Sequence, residues 1–504
     1  MAGVTTALLA PDGLSRLRTA LTRASYSRDG IAALLGPGAF AALGRGDLAT
    51  VRIAAAGDSP LEVLTRLFTA GGRATEKEVA AALDPLPLGD ALAAGLVERH
   101  GDAVRAGLDL RPYGDDTGGS WWVLSDLGAD VRPGPLRADH VLGIGGASVM
   151  LAQSTVRPKV DAALDLGTGC GIQALHLSQH AGSVTATDLN ARALRLAATT
   201  AALNGLDWEL LEGDLAAPVA GRRFGLVVSN PPFVVGPGRA THSYRDSGRP
   251  GDAISAELVA SAPALLAEGG WLQFLANWVH AEDEPWDERL AGWLAGTGCD
   301  GWVIQRETLG PDEYVSMWLR DSGELSGNGS AGDAGQARMA EWLDWFAAER
   351  IEAVGFGLVT VRATGSASPV VRIEEARQHL DQPIGGHIAD WFARQDWLRG
   401  ADLLAARLVT APELRLSQSA ERGAEGWEVD TQVLALDGGM RWAQEADPIT
   451  VALVGGCDGR VPLADQLALL AAAHEVHPAA LATAALPIVG HLVERGMLLP
   501  AGAA

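Results

Sequence analysis

Cysteine is scarce in this chain of 504 residues: Cys170, Cys299 and Cys457 lie far apart. Three scattered thiols fit neither a disulfide framework nor a metal site, and buried free thiols are the expectation. Long apolar runs are missing too. No stretch of about 20 apolar residues is free of charge, histidine or proline, which argues against a transmembrane helix. The start, Met1-Ala2-Gly3-Val4-Thr5-Thr6, has no basic stretch ahead of an apolar one, so a cytoplasmic protein without membrane association is expected. Positive charge is also short, with 39 Lys and Arg against 62 Asp and Glu, a net charge of -23, and lysine only at Lys77 and Lys159. That balance opposes long-range attraction to nucleic acid. Arg16, Arg18, Arg23 and Arg28 could still form a local basic strip.

What the chain does have is a short segment with an unusual constraint. The apolar run Phe224-Gly225-Leu226-Val227-Val228-Ser229 ends in Asn230-Pro231-Pro232-Phe233. Two successive prolines cannot continue a sheet ladder and each fixes its own φ, so the strand must stop in a rigid turn. The turn offers an amide side chain, backbone carbonyls and an aromatic face. Asn230 Oδ1 and the Pro231 carbonyl could accept the two N–H bonds of a flat amino group stacked on Phe233. An ordinary strand end is the alternative reading, because Asn and Pro are common turn residues.

The upstream sequence sharpens the choice. Ala163-Leu164-Asp165-Leu166-Gly167-Thr168-Gly169-Cys170-Gly171 reads as a buried strand entering a glycine-rich turn, with a helix from Ile172 to His180. The glycines allow a tight bend and close approach to a ligand, and the helix N-terminus favours a carboxylate. The G-x-G-x-G spacing departs from the dinucleotide fingerprint. Asp165, just before the turn, would repel a pyrophosphate but could attract a cation or an ammonium group. Ser183-Val184-Thr185-Ala186-Thr187-Asp188 is a second strand ending in an acid that can accept ribose hydroxyls. After a helix from Ala191 to Asn204, Trp208 to Asp214 gives a third acidic strand tip, where Asp214 can accept from an adenine amine.

Taken in order and spacing, Asp165-x-Gly167-x-Gly169-x-Gly171, Asp188, Asp214 and Asn230 to Phe233 resemble a class I S-adenosylmethionine-dependent methyltransferase. Within that superfamily the chain is most similar to the N-methyltransferases carrying (D/N/S)-P-P-(Y/F/W). The resemblance implies a Rossmann-like α/β core with a seven-stranded sheet and S-adenosylmethionine as cofactor. It implies that Asp165 and the turn Gly167, Gly169 and Gly171 hold the methionine moiety, Asp188 the ribose, and Asp214 with neighbouring Leu215 the adenine. Asn230, beside the cofactor, and the Pro231 carbonyl would hold the acceptor nitrogen, with Pro232 and Phe233 completing the catalytic corner. No metal is implied. Both release factor glutamine methyltransferases and small-domain ribosomal RNA guanine-N2 methyltransferases are resembled: Phe233 leans toward the second, the overall acidity toward a protein or small-molecule target. A small-molecule N-methyltransferase and a catalytically silent module that binds S-adenosylmethionine are the alternatives. His242, Tyr244, Arg245 and Asp246 lie in a Gly- and Pro-rich loop from 236 to 252 that is expected to cover the substrate.

Around the core, residues 1–125 read as a helical, winged-helix-like domain, with helices over Leu14 to Leu35, Leu61 to Phe68, Glu76 to Leu83 and Leu88 to Val97. A strand pair within Ala103 to Arg111 follows. Six basic against eight acidic residues between Leu61 and Arg111 favour packing or partner binding over DNA reading. His140, ahead of the first core strand, reads as a packed or capping residue. The methyltransferase core is placed at 126–366, with the low-complexity segment 322–336 as a flexible insertion inside it and Trp342, Trp345 and Phe346 packed on the sheet. Residues 367–504 are expected to form an α+β, winged-helix-like domain. Its last stretch, from Cys457 on, holds two basic and four acidic residues, which points to docking of a substrate protein or to a homodimer.

Overall fold

In a computed structural model, described for residues 6–502 apart from 116, 129–130, 133–135, 239–247, 322–323, 325–329 and 425, the chain divides into two compact units. The first comprises the chain up to Ala152 with Pro158–Ala376, the second Gln153–Arg157 with Arg377–Ala504. The calls on His242, Tyr244, Arg245 and Asp246 fall outside the described residues.

The first unit is built on an eight-stranded sheet. Its strands are β1 (Val160–Leu166), β2 (Ala181–Asp188), β3 (Glu209–Glu212), β4 (Phe224–Ser229), β5 (Leu266–Ala281), β6 (Cys299–Leu309), β7 (Ile351–Ala363) and β8 (Val371–Glu375), in the spatial order β8-β6-β7-β5-β4-β1-β2-β3. Only β7 runs antiparallel to its neighbours. The expected seven strands are present, and β8 adds an edge strand parallel to β6. It carries the core to Ala376, beyond the expected boundary at 366. Its sequence, Val371-Arg372-Ile373-Glu374-Glu375, has too many charges to read as a core strand. An edge position tolerates them, and Trp302 Nε1 donates to Glu374.

Central strands covered on both faces lose alternation and become continuous apolar runs. In β5, Phe274, Leu275, Ala276, Trp278 and Val279 are all buried, and Phe274 stands opposite Val359 of β7. The helix Ala191–Leu203 starts where Asn190 Oδ1 accepts the Arg192 N–H at 2.9 Å and buries Leu194, Leu196, Ala197 and Leu203. The Asn204 amide at its other end exchanges two hydrogen bonds with the Trp122 backbone, at 2.9 and 2.8 Å. This joins the strand Ser120–Ser125 to the core within one compact unit.

Ahead of that strand, the expected helix from Leu14 to Leu35 is two, Pro11–Arg23 and Arg28–Gly44. Ser25 adopts φ 55° between them, and the Tyr26 hydroxyl, bonded to Leu110 O and Thr69 Oγ1, fixes the break. The segment Pro60–Ala106 then runs helix, strand, helix, helix, strand, strand. Val97 opens the strand Val97–His100 rather than closing the preceding helix, which ends at Ala93. Arg73–Ala74 and Val97–His100 flank Ala103–Ala106. Asp109–Gly114 turns back to pair with Ser120–Ser125 instead.

In the second unit, Arg407–Thr410 lies between Asp458–Pro462 and Leu498–Pro500, with helices Leu463–Ala473 and Pro478–Glu494. Past Thr410 the chain leaves this sheet, and Leu414–Arg422 forms a hairpin with Trp427–Leu436. No helix among the described residues is long and apolar enough to cross a membrane.

Candidate active site

The sheet register brings three acceptor-bearing tips together. Leu166 of β1 stands opposite both Thr187 of β2 and Ser229 of β4, so Gly167, Asp188 and Asn230 emerge side by side. Ser229 Oγ donates to the Leu166 carbonyl at 2.8 Å, tying β4 to the start of the glycine turn. Gly167, Gly169 and Gly171 have φ of 70°, 56° and 92°. L side chains rarely adopt those values, which is why the turn needs glycine. At Gly167 and Gly169 an added Cβ would meet nothing within 4 Å, whereas at Gly171 it would sit 2.6 Å from the Trp208 ring. The first two glycines therefore leave open approach to the turn, and the third closes packing behind it.

The carboxylates around this turn divide their work. Asp165 is buried and accepts from Thr168 Oγ1 at 2.6 Å and from the Ala174 N–H at 3.1 Å. Burial pushes its carboxyl up to about 7, and those two hydrogen bonds oppose the shift. It braces the turn from behind rather than lining the cavity in front of it. Asp188 does line the cavity. Its two oxygens accept the Gly169 and Asn190 N–H groups, each at 2.8 Å, and burial raises its carboxyl above the ordinary range. Asp214 lines the cavity too, bonded to Arg249 at 2.9 Å, beside Leu215, whose carbonyl accepts from Thr187 Oγ1. The Cys170 thiol, buried in the turn, is pushed up to about 12 by desolvation, so size rather than reactivity places it there.

The cavity has a volume of about 720 Å³. Gly167 to Cys170, Asp188, Leu189, Asp214 and Leu215 line the glycine-turn side, Asn230, Pro232, Ile254, Trp318 and Asp321 the proline-corner side, and Ala138 with His140 to Ser148 a third wall, while Arg249, bonded to Asp214, lies between the first two. Of the four residues of the proline corner, Asn230 and Pro232 face this space; Pro231 is buried behind it, and Phe233 meets the Trp318 ring edge-on at 6.3 Å. Gly171 and Asp165 likewise stand behind the lining.

Asn230 Oδ1 is the telling atom. It is buried and has no hydrogen-bond partner among the described residues. A buried acceptor left unmade costs about 1–3 kcal/mol, so such an atom calls for a donor from a bound group. His140 lines the third wall, is buried, and is held below its ordinary range by desolvation against the opposing pull of Asp126. It is a neutral packing group, as expected. The wall itself is pinned by Asp126, which accepts the Val141 N–H at 2.9 Å and the Arg192 guanidinium, and by Gln173 Nε2, which donates to the Ser148 carbonyl at 2.9 Å.

No residue-level signal in the sequence singles out Gln173, Arg249, Trp318 or Asp321. Arg249 lies in the loop expected to cover the substrate, and Trp318 in the helix Pro311–Asp321. No local pattern marks which face of either meets the cavity.

A parallel sheet with a glycine turn, acidic strand tips and an amide corner defines the Rossmann-like methyltransferase class. Residues 143–284 match the family model for the methyltransferase small domain. Two further models, each described as a domain of unknown function, match residues 23–107 and 389–500. A release factor glutamine methyltransferase of Deinococcus radiodurans is 39% identical over 150 residues, covering 28% of this chain and 52% of that protein. A ribosomal RNA small subunit methyltransferase C of Alcanivorax borkumensis is 36% identical over 114 residues, 23% of this chain and 31% of that protein. Among solved structures, a T. thermophilus 16S rRNA N2 G1207 methyltransferase in complex with AdoMet and guanosine is 20% identical, with a TM-score of 0.25, covering 47% of this chain and 62% of that one. The chain spans about half the length, or less, of the curated relatives quoted.

Proposed function

We propose that the chain is an S-adenosylmethionine-dependent N-methyltransferase acting on a planar amino or amide nitrogen of a macromolecule, either a protein glutamine or a ribosomal RNA base, in the cytoplasm. The single observation that carries this is the unpartnered, buried Asn230 Oδ1 beside the glycine turn. S-adenosylmethionine supplies, when bound, a methyl group already activated on a sulfonium.

The residues present fit that cofactor. Gly167 and Gly169 leave the backbone of the turn approachable, Asp188 sits at a strand tip where a ribose can be held, and Asp214 with Leu215 lines the place for an adenine. Asp165, Thr168 and the Ala174 N–H keep the turn in shape.

Asn230 then has one task, to accept an N–H of the acceptor and hold its nitrogen in line. Placement of this kind can account for a large part of a barrier. A planar nitrogen also has its lone pair delocalised, and acceptors that hold its hydrogens favour the pyramidal transition state. In this reading the Pro231 carbonyl and the Phe233 ring, which stand behind the residues lining the cavity, complete the corner as second acceptor and flat surface once the acceptor group is seated. His140 takes no part as a base.

The test is incorporation of methyl label from S-adenosylmethionine into extract of a strain lacking the gene. Label is expected with the wild-type chain and not with Asn230→Ala. Nuclease-sensitive label identifies RNA, protease-sensitive label identifies protein, and absence of label from every fraction would reject the activity.

A further inference from the structure

The acceptor end of the cavity includes a wall from far along the chain. Between β6 and β7 the chain forms the helices Pro311–Asp321 and Ser330–Ala348. Tyr314, Val315, Leu319, Trp342 and Phe346 of this insertion pack with Val234 and Val235, the residues directly after the proline corner. The packing is registered by hydrogen bonds as well as by apolar surface. The Val235 N–H donates to the Tyr314 hydroxyl at 2.7 Å, and Asn277 Nδ2 donates to the same oxygen at 3.0 Å. An added Cβ at Gly236 would lie 2.9 Å from Trp342 Nε1, so the second helix is close against the same segment.

That registration decides where Trp318 falls. One turn beyond Tyr314 on the same helix, its ring meets Tyr314 at 6.3 Å and Phe233 at 6.3 Å, edge-on at interplanar angles of 68° and 67°, while the residue lines the cavity. Phe233 and Trp318 thus make an aromatic corner beside Asn230. One further turn on, Asp321 lines the same end, and its charge reaches His140 on the third wall.

We infer that Trp318 is a specificity-determining residue for the acceptor: its ring, inclined at 67° to that of Phe233, confines a flat π-faced group so that the nitrogen to be methylated meets Asn230 Oδ1. This rests on the N-methyltransferase reading. The ligand class is a planar amide or heterocyclic amine, for which one aromatic face gives affinity and a second, crossed ring gives orientation. The cofactor end has no share in this corner.

The experiment titrates extract from the deletion strain as acceptor against fixed labelled S-adenosylmethionine, using full-length wild type, Trp318→Phe, Trp318→Leu and Trp318→Ala. Calorimetry with S-adenosylmethionine alone is run in parallel. Trp318→Ala and Trp318→Leu should raise the half-saturating extract concentration by roughly tenfold or more. Trp318→Phe should stay within about threefold of wild type, and all variants should bind the cofactor equally. Leu keeps most of the volume without the π face, so it decides the matter even if Ala unfolds the helix. Equal behaviour of Leu and Phe, or an unchanged half-saturation with Leu, would overturn the inference while leaving the methyltransferase reading intact. Label transfer by Asn230→Ala at the wild-type rate would instead overturn the reading itself.

Discussion

The two ends of the cavity are built in different ways. The cofactor end comes from one continuous stretch, Asp165 to Leu215, in which each element hands the next strand tip to the same edge. The proposed acceptor end is assembled from the proline corner, Ile254 and a helix that begins at Pro311, far beyond the corner. A local motif can be rigid because its carboxylates are spent on its own backbone, as Asp165 and Asp188 are. A surface gathered from distant segments owes its shape to packing, and it is there that a shared core can be given a new target.

If the cofactor end is the self-braced half, its largest vulnerability is the buried acid behind the turn. Asp165 titrates near 7 in the folded chain instead of at its ordinary value of 3.8. The folded state therefore holds the proton more tightly than the unfolded state. Its favourable contribution is present at acid pH and is lost as pH rises from about 4 through 7, by linkage on the order of 4 kcal/mol. Unfolding curves of wild type and Asp165→Asn should diverge over that window, with the variant gaining relative stability as pH rises. Parallel curves would contradict the bracing role.

At the acceptor end the sharpest break is Asn230→Ala. Loss of one preorganised acceptor should lower kcat by roughly 10²- to 10³-fold while cofactor affinity stays within about threefold. A comparable loss in cofactor binding would erase the distinction between the two ends. The converse variant, Asp188→Ala, removes a carboxylate that accepts the Gly169 and Asn190 N–H groups and is proposed to hold the ribose. It should weaken S-adenosylmethionine by roughly 30-fold, read by calorimetry, without changing acceptor half-saturation at saturating cofactor. Smallest of all is Arg249→Ala, at the seam between the ends. Its pairs with Asp214 and Glu257 are partly exposed, and thermal unfolding should register about 1 kcal/mol or less.

The same division explains what the sequence could tell. Val227 to Phe233 and Asp165 to Gly171 specify their own geometry, since twin prolines end a strand and positive φ demands glycine. Trp318 was not legible, because its position depends on the Val235 N–H meeting Tyr314, a contact between residues 79 apart. Strand β8 was hidden by its charges, which an edge position tolerates. The flexible reading of 322–336 gave way in part to a helix beginning at Ser330, whose anchoring residues Trp342 and Phe346 lie further along. Those aromatics pack on the segment after the proline corner and on the start of β7. Asp165 was expected to hold the methionine moiety together with the turn; chain neighbours alone do not show that Thr168 Oγ1 and the Ala174 N–H both bond its Oδ2, behind the residues that line the cavity.

Calorimetric titration of S-adenosylmethionine into the full-length chain tests the central claim most directly, with Asp188→Ala and Asn230→Ala alongside. Saturable binding to wild type and to Asn230→Ala, and a much weakened isotherm for Asp188→Ala, is the predicted result. No heat with the wild-type chain, or an unaltered isotherm for Asp188→Ala, would contradict it.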